Sequence, residues 1–358
     1  MKIGILGAGQ LGRMLALAGY PLDFDFVFLD PAAEACAAPL GEHLHAEYTD
    51  EKALAEFCSR IDVATYEFEN VPAQAAGFVA QRKPLLPHPR ALEVGQDRLS
   101  EKQLFDSLKI AVPKYQPVGS RAELEGAVER IGFPSVLKTR RLGYDGKGQA
   151  VLRSAADLDP AWERLGRQPL LLEAFVEFDR EISCIGVRGR DGATAFYPAA
   201  SNVHRDGILR TSVPRARDPL QRSAERATRA VMQKLDYVGV LAFEFFVAKG
   251  QLLGNEIAPR VHNSGHWTLD GAACSQFENH LRAIAGLPLG STALRGPCAM
   301  VNFIGSAPDP AKLAAIPGLH LHLYGKAAKP ARKVGHANLT AKNEAELNKA
   351  LKRLNALL

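Results

Sequence analysis

With 358 residues, 47% of them hydrophobic, and 31 glycines, the chain is long enough for two or three domains with buried cores and too apolar for a disordered or fibrous protein. Its net charge of +5 comes without a block of five or six consecutive basic residues, which argues against nucleic acid and leaves phosphorylated small molecules as acidic partners. Five scattered cysteines with no C-x-x-C pair argue against a disulfide framework or structural zinc, and neither a membrane-length apolar run nor a signal-peptide layout is present, so a cytoplasmic protein is expected.

Taken in chain order, residues 2–6 read as a buried strand, 10–19 as a helix and 26–29 as a second strand. Asp50 reads as the N-cap of a helix over 51–59, and 63–66 as a third strand. Such alternation predicts a parallel sheet with helices on its faces. The proline-rich stretch Lys83 to Pro89 cannot continue a helix and suggests the end of this unit. Asp97 then caps an amphipathic helix from Arg98 to Leu108. A helix at 121–130, a strand at 135–138, a glycine-rich loop, a helix near 155–166 and a strand at 170–173 follow. Extended runs around the turns Asp191-Gly192 and Asp206-Gly207 predict antiparallel sheet. After a long helix at 218–235 come strands at 240–247 and 251–257. Beyond Pro288 the chain thins into a tail region with strands near 299–304, 320–324 and 332–336 and a closing helix from about 342.

Three motifs carry chemistry. Gly7-Ala8-Gly9-Gln10-Leu11-Gly12 is a G-x-G-x-x-G turn between a strand and a helix, with Asp30 eighteen residues later. Glycines here admit a phosphate to the free N–H groups of a helix start, and a dinucleotide site would set Asp30 on a ribose hydroxyl. The alternative is a tight turn with no ligand. The second motif, Lys138 followed by Gly143-Tyr144-Asp145-Gly146-Lys147-Gly148-Gln149, suits a lid over nucleotide phosphates and lacks P-loop spacing. Read alone, it is also a plain exposed hairpin. The third motif is the most specific: Phe243 to Val247 and Leu252 to Ile257 read as neighbouring strands, each with a carboxylate, Glu244 or Glu256, inside an apolar run. Buried charges need a partner, and two facing carboxylates beside Asn255 make an oxygen-rich nest for Mg²⁺ on nucleotide phosphates. Exposed strand residues, or salt bridges to Arg260 and a lysine, are the other readings. Directly after it, Arg260, His262 and Asn263 can stabilise an oxyanionic acyl phosphate. His262 with Ser264 lacks a nucleophile elbow, and His266 beside Trp267 reads as a packing residue. The chain thus reads as an ATP-dependent, two-carboxylate magnesium enzyme that activates a small acid.

These residues resemble the ATP-grasp carboxylate–amine ligases, and among them the branch that carboxylates aminoimidazole ribonucleotide. The matching segments are Gly7 to Met14, Thr65-Tyr66-Glu67-Phe68-Glu69-Asn70-Val71, Gly143 to Gln149, Asn255 to His266 and Arg332-Lys333-Val334-Gly335-His336, which together span essentially the whole chain. The resemblance implies an α/β and α+β architecture: a Rossmann-like parallel-sheet domain over 1–97, an ATP-grasp domain over 98–287 with its lid at about 120–176, and a small C-terminal domain over 288–358. It implies that the first glycine loop binds no NAD, and that Gln10, Leu11, Glu67 and Asn70 approach the substrate nucleotide with Lys326 and Arg332. ATP would meet Arg98, Lys138 and the Gly143–Gln149 lid, with Glu173, Ala174, Phe175 and Val176 as the adenine hinge. Glu181 would bind the ribose, and His204 would lie near the nucleotide. One or two Mg²⁺ ions would sit on Glu244 and Glu256 beside Asn255. Arg260 would face the acyl phosphate, with Tyr144, Asp145, His262, Asn263 and Lys333 near the amine and carboxyl. Bicarbonate, ATP and aminoimidazole ribonucleotide are the implied substrates, ADP and phosphate leave, and a homodimer is implied. A formate-using glycinamide ribonucleotide transformylase or a biotin-carboxylase-like enzyme is the nearest alternative, against which Tyr144-Asp145 and Glu67 to Asn70 speak. A nicotinamide oxidoreductase leaves the lid and the two-glutamate hairpin unexplained, and a nucleic-acid binder lacks a basic stripe.

Overall fold

The computed structural model describes residues 1–143 and 147–358. Its strands form three sheets. The first contains Lys2–Leu6 (β1), Asp25–Asp30 (β2), Glu42–His45 (β3) and Val63–Tyr66 (β4), in the order β3-β2-β1-β4 and parallel throughout. β1 and β4 are almost wholly buried, which is why they read as continuous apolar runs rather than alternating ones. The helix Gln10–Gly19 follows β1, and the helix Glu51–Ser59 is capped by Asp50, whose side chain accepts from the Lys52 and Ala53 amides. β3 was not expected, because its sequence Glu-His-Leu-His offers neither alternation nor an apolar run. The proline-rich stretch does not simply leave the sheet: Leu85 bridges to Ala64, and Pro89 occupies the first turn of a further helix, Pro89–Gly95.

The second sheet is antiparallel, in the order β5-β8-β6-β7, from Tyr115–Val118 (β5), Ser135–Thr139 (β6), Gln149–Leu152 (β7) and Leu170–Ala174 (β8). Two helices, Arg121–Ile131 and Leu158–Leu165, bury Leu124, Val128, Leu158 and Leu165 against Leu137, Leu152, Leu170 and Leu172.

The third sheet holds nine strands: Arg180–Arg188 (β9), Thr194–Phe196 (β10), Ala200–Arg205 (β11), Ile208–Pro214 (β12), Gly239–Ala248 (β13), Gln251–Ala258 (β14), Cys298–Ile304 (β15), Leu319–Leu323 (β16) and Lys333–Thr340 (β17). Their order is β14-β13-β9-β11-β12-β15-β17-β16, with β10 on β9. The last three strands therefore extend the central sheet, β15 pairing with β12 through Thr211–Val301 and Ser212–Met300. The β13–β14 turn places Lys249 and Gly250 at φ 50° and 74°, the doubly left-handed pair a tight hairpin requires. Among the described residues no helix is long and apolar enough to cross a membrane, and all five cysteines are unpaired.

Candidate active site

The first glycine loop is already filled by the protein. Glu67, at the end of β4, accepts from the Gly9 amide at 2.8 Å with one carboxylate oxygen, and from Leu11 (3.1 Å) and Gly12 (3.2 Å) with the other. A carboxylate thus sits at the helix start where a phosphate would bind. The glycines make room for it, since a Cβ on Gly7 or Gly9 would lie 2.8 or 2.7 Å from the Glu67 side chain. Burial pushes the Glu67 carboxyl up, against the amide hydrogen bonds that hold its charge. Asp30 is likewise committed, accepting from the Ala8 amide at 2.8 Å and the Ala32 amide at 2.7 Å. With Glu67 in the place of a pyrophosphate and Asp30 bound to two amides, the NAD reading of this loop falls.

The loop opens onto a cleft of about 830 Å³ that runs to β14. Gln10, Leu11, Glu67, Asn70, Arg98, Gly143, Glu256, Arg260, His262, Asn263, Lys326, Arg332 and Lys333 all line it, so residues more than 300 positions apart meet in one cavity. Lys326 pairs with Gln10 across it, and Arg332 donates to the Ala327 carbonyl at 3.2 Å. Arg260 is held by Glu69 and by the Val261 carbonyl, while its Nε is buried without a partner.

At the β14 end, Glu244 of β13 stands directly opposite Glu256 of β14. The register then slips, so that Phe245 faces Gly254 and Asn255 is an extra, bulged residue. Burial first, and then the charge of Glu256, push Glu244 up to about 7. Burial also opposes ionisation of Glu256, but Arg98, 2.9 Å from it, holds it below the ordinary carboxylate range. Two carboxylates in register, one of them paired with Arg98 at the cleft wall, fit a divalent cation, which would relieve their mutual repulsion. Among the described residues no three His, Cys, Asp or Glu side chains gather as a closed metal centre. The fit is therefore to an open site completed by ligand oxygens.

Lys138 of β6 lies 3.0 Å from Glu173 of β8, and both are buried. Burial favours the neutral Glu173, yet Lys138, Lys102 and Arg98 bring its carboxyl down to about 2. One oxygen, Oε1, has no partner. Beyond it, the Ala174 amide donates to Lys114 and the Phe175 amide to Pro134, while the Phe175 side chain is exposed. Glu181 and His204 lie on neighbouring strands with 3.0 Å between carboxylate and imidazole; burial is the largest influence on the ring and opposes its charge, but Glu181, Glu244 and Glu256 together outweigh it and raise the His204 pKa. Gln149 pairs with Lys138, and Gly148, at φ +71°, lies where a Cβ would strike Thr139. Tyr144, Asp145 and Gly146 lie outside the described residues.

His262 accepts the Ser264 amide on Nδ1 at 3.3 Å, so its ring proton resides on Nε2. Burial, with Arg260 and Lys333 nearby, keeps the ring neutral, its pKa well below the usual value. His262 Nδ1 also lies 2.9 Å from Ser264 Oγ, but Ser264 is fully buried and lines no part of the cleft, so the pair does not present a nucleophile to a substrate. Asn263 is half-buried, with both side-chain amide atoms shielded and unpaired. His266 is buried in a stack with His336 and Phe277, as a packing residue would be.

Sequence reasoning gave Glu69 no role of its own and passed over Glu101, Lys102 and the Asp97–Arg140 pair, in which Arg140 Nε donates to Asp97 at 2.9 Å. A signal existed for two of them. Glu101 and Lys102 fall on the stripe of the Arg98–Ser107 helix that also holds Leu104 and Phe105, and charge on an apolar stripe marks a buried polar contact.

Residues 1–96 match the ribonucleotide synthetase preATP-grasp domain family, 103–277 the ATP-grasp domain and 298–350 the phosphoribosylaminoimidazole carboxylase C-terminal domain. The chain is 54% identical over 358 residues to an N5-carboxyaminoimidazole ribonucleotide synthase of Pseudomonas aeruginosa, covering 100% of this chain and 99% of that one. It is 41% identical to the one of Escherichia coli, covering 100% and 95%. The N5-carboxyaminoimidazole ribonucleotide synthetase structure of Thermus thermophilus superposes with a TM-score of 0.96 at 53% identity, covering 99% of this chain and 98% of that one. The Aspergillus clavatus synthase, solved in complex with ADP and 5-aminoimidazole ribonucleotide, superposes at 0.92 with 32% identity, covering 99% and 98%.

Proposed function

The chain belongs to the N5-carboxyaminoimidazole ribonucleotide synthase family of ATP-grasp ligases, and from that premise we propose that it uses ATP and bicarbonate to carboxylate the exocyclic amine of 5-aminoimidazole ribonucleotide in purine synthesis. The observation that carries this reading is the single cleft joining the Glu256–Arg98 end to the Gln10, Lys326 and Arg332 end. The relatives compared above all bear the carboxylating name, which favours bicarbonate over formate as the acid.

Bicarbonate is a poor electrophile. One of its oxygens attacks the γ-phosphorus of ATP, forming carboxyphosphate and ADP. The substrate amine then bonds to the carboxyl carbon, or to carbon dioxide released from it in the closed site, and inorganic phosphate leaves while the nitrogen gives up one proton. Lys138 and Arg98 bind the phosphoryl oxygens, and the buried, unpaired Oε1 of Glu173 accepts from the adenine amine beside Ala174, Phe175 and Val176. Glu181 takes the ribose, with His204 at its carboxylate. Magnesium held by Glu244 and Glu256, with Asn255 beside them, would supply positive charge to the phosphoryl oxygens. The 143–149 lid, through Tyr144, Asp145, Gly146, Lys147, Gly148 and Gln149, excludes water that would hydrolyse the acyl phosphate.

Arg260 and the Nε2–H of neutral His262 donate to the acyl phosphate, with Asn263 and Lys333 around the carboxyl. Gln10, Leu11, Glu67 and Asn70 contact the ribonucleotide, and Lys326 and Arg332 take its phosphate. The filled glycine loop supports that last assignment, because Glu67 denies the helix start to a second anion. The proposal extends to domain boundaries at 97/98 and 287/288 and to a cytoplasmic homodimer, for which the family resemblance is the support. Aminoimidazole-ribonucleotide-dependent ADP release tests the reading. Bicarbonate depletion should suppress it and formate should not restore it; release at equal rates in both conditions rejects bicarbonate as the acid.

A further inference from the structure

The helix Arg98–Ser107 meets four consecutive residues of β14 with charged side chains. Arg98 pairs with Glu256, Glu101 accepts from the Ile257 amide at 2.6 Å, and Lys102 Nζ donates to the carbonyls of Asn255 (2.8 Å) and Gly254 (3.3 Å). These are the residues at which the β13–β14 pairing slips. A bulge releases backbone groups from the ladder and re-aims the side chains that follow it. Here the released carbonyls are satisfied by a fully buried ammonium. The same ammonium lies 3.7 Å from Glu173 Oε2, the oxygen that also holds Lys138. An apolar residue would pack this helix without the desolvation cost of a buried lysine, so the charge has a purpose beyond packing.

We propose that Lys102 is a positioning residue of the nucleotide site: from one buried point it holds the bulge that sets Glu256 beside Glu244 and, through Glu173, fixes the Lys138 side chain. It reaches no reacting atom, its ammonium being fully buried between the Gly254 and Asn255 carbonyls and Glu173. The inference rests on the reading of Glu244 and Glu256 as metal ligands.

The full chain, Lys102→Met and Lys102→Gln are compared by magnesium activation of ADP release, by KM for ATP and for aminoimidazole ribonucleotide, and by thermal unfolding. In Lys102→Met the magnesium concentration for half-activation rises about tenfold, the scale expected when a support of a metal ligand is lost. The KM for ATP rises with it, and that for aminoimidazole ribonucleotide stays within about twofold. Lys102→Gln retains a donor for the carbonyls and shifts magnesium activation less than Met does, yet raises the KM for ATP as much, because neither variant carries charge to Glu173. Should Lys102→Met fail to fold, the Gln variant decides on the same two constants. A uniform fall in kcat with both constants unmoved overturns the proposal. Magnesium-dependent wild type with unshifted variants overturns this proposal alone, whereas wild type active without divalent cation overturns the metal reading as well.

Discussion

Glu173→Gln isolates the electrostatic work of the buried Lys138–Glu173–Lys102 group. Glu173 is 3% exposed at its side chain, so solvent does little to screen it. Its folded-state pKa lies at about 2 against an ordinary 4.5, so the folded state holds the ionised form that the unfolded state gives up first on acidification. The stabilisation is therefore fully present above about pH 4.5 and is lost as pH falls towards 2. At about 1.4 kcal/mol per pH unit, the pH-dependent part amounts to about 3 kcal/mol. Denaturant unfolding of wild type and variant is measured at steps from pH 7 to pH 3. The wild-type advantage should hold between pH 7 and pH 5 and shrink below that. A gap that stays constant over the whole range refutes the reasoning, because it would place the effect in packing and not in charge.

Three further outcomes follow from the same geometry. Glu256→Gln should lower ATP turnover about 100- to 1000-fold in a folded protein, and near-normal turnover in that variant removes the metal assignment. Gly9→Ala sets a Cβ only 2.7 Å from Glu67 Oε1; it should destabilise by about 1–3 kcal/mol and raise the KM for aminoimidazole ribonucleotide more than that for ATP, as measured by unfolding and initial rates. Lys326→Met, remote from the nucleotide end, should raise the KM for aminoimidazole ribonucleotide about tenfold and leave that for ATP unchanged, a phosphate contact being worth roughly 1.5–3 kcal/mol; equal effects on both would move Lys326 out of the substrate site.

The elements that announce themselves in the sequence are those whose burial is written into composition. β1, β2, β4, β13 and β14 are apolar runs, and Asp50 and Asp97 cap the helices they were expected to cap. The polar edge strand β3 carries no such pattern, and β5 is interrupted by Pro117. The helices Ala73–Ala80 and Gln276–Ala285 were also passed over. The facing of Glu244 and Glu256 was legible, because an acid inside each of two apolar strands of one hairpin has few other places to go. Their bulge was not, since a one-residue register slip leaves no mark on composition. The glycine loop was legible as an anion cradle, but its occupant lies more than fifty residues away and only the fold reveals it. The same holds for the pairing of the tail strands with the central sheet through β12 and β15, which no local pattern announces.

Oxygen transfer tests the central chemistry most directly. With ¹⁸O-labelled bicarbonate and aminoimidazole ribonucleotide, transfer of the γ-phosphoryl group to bicarbonate predicts that the inorganic phosphate released carries one labelled oxygen. Unlabelled phosphate formed alongside carboxylated product would show that bicarbonate was never phosphorylated, and would contradict the account.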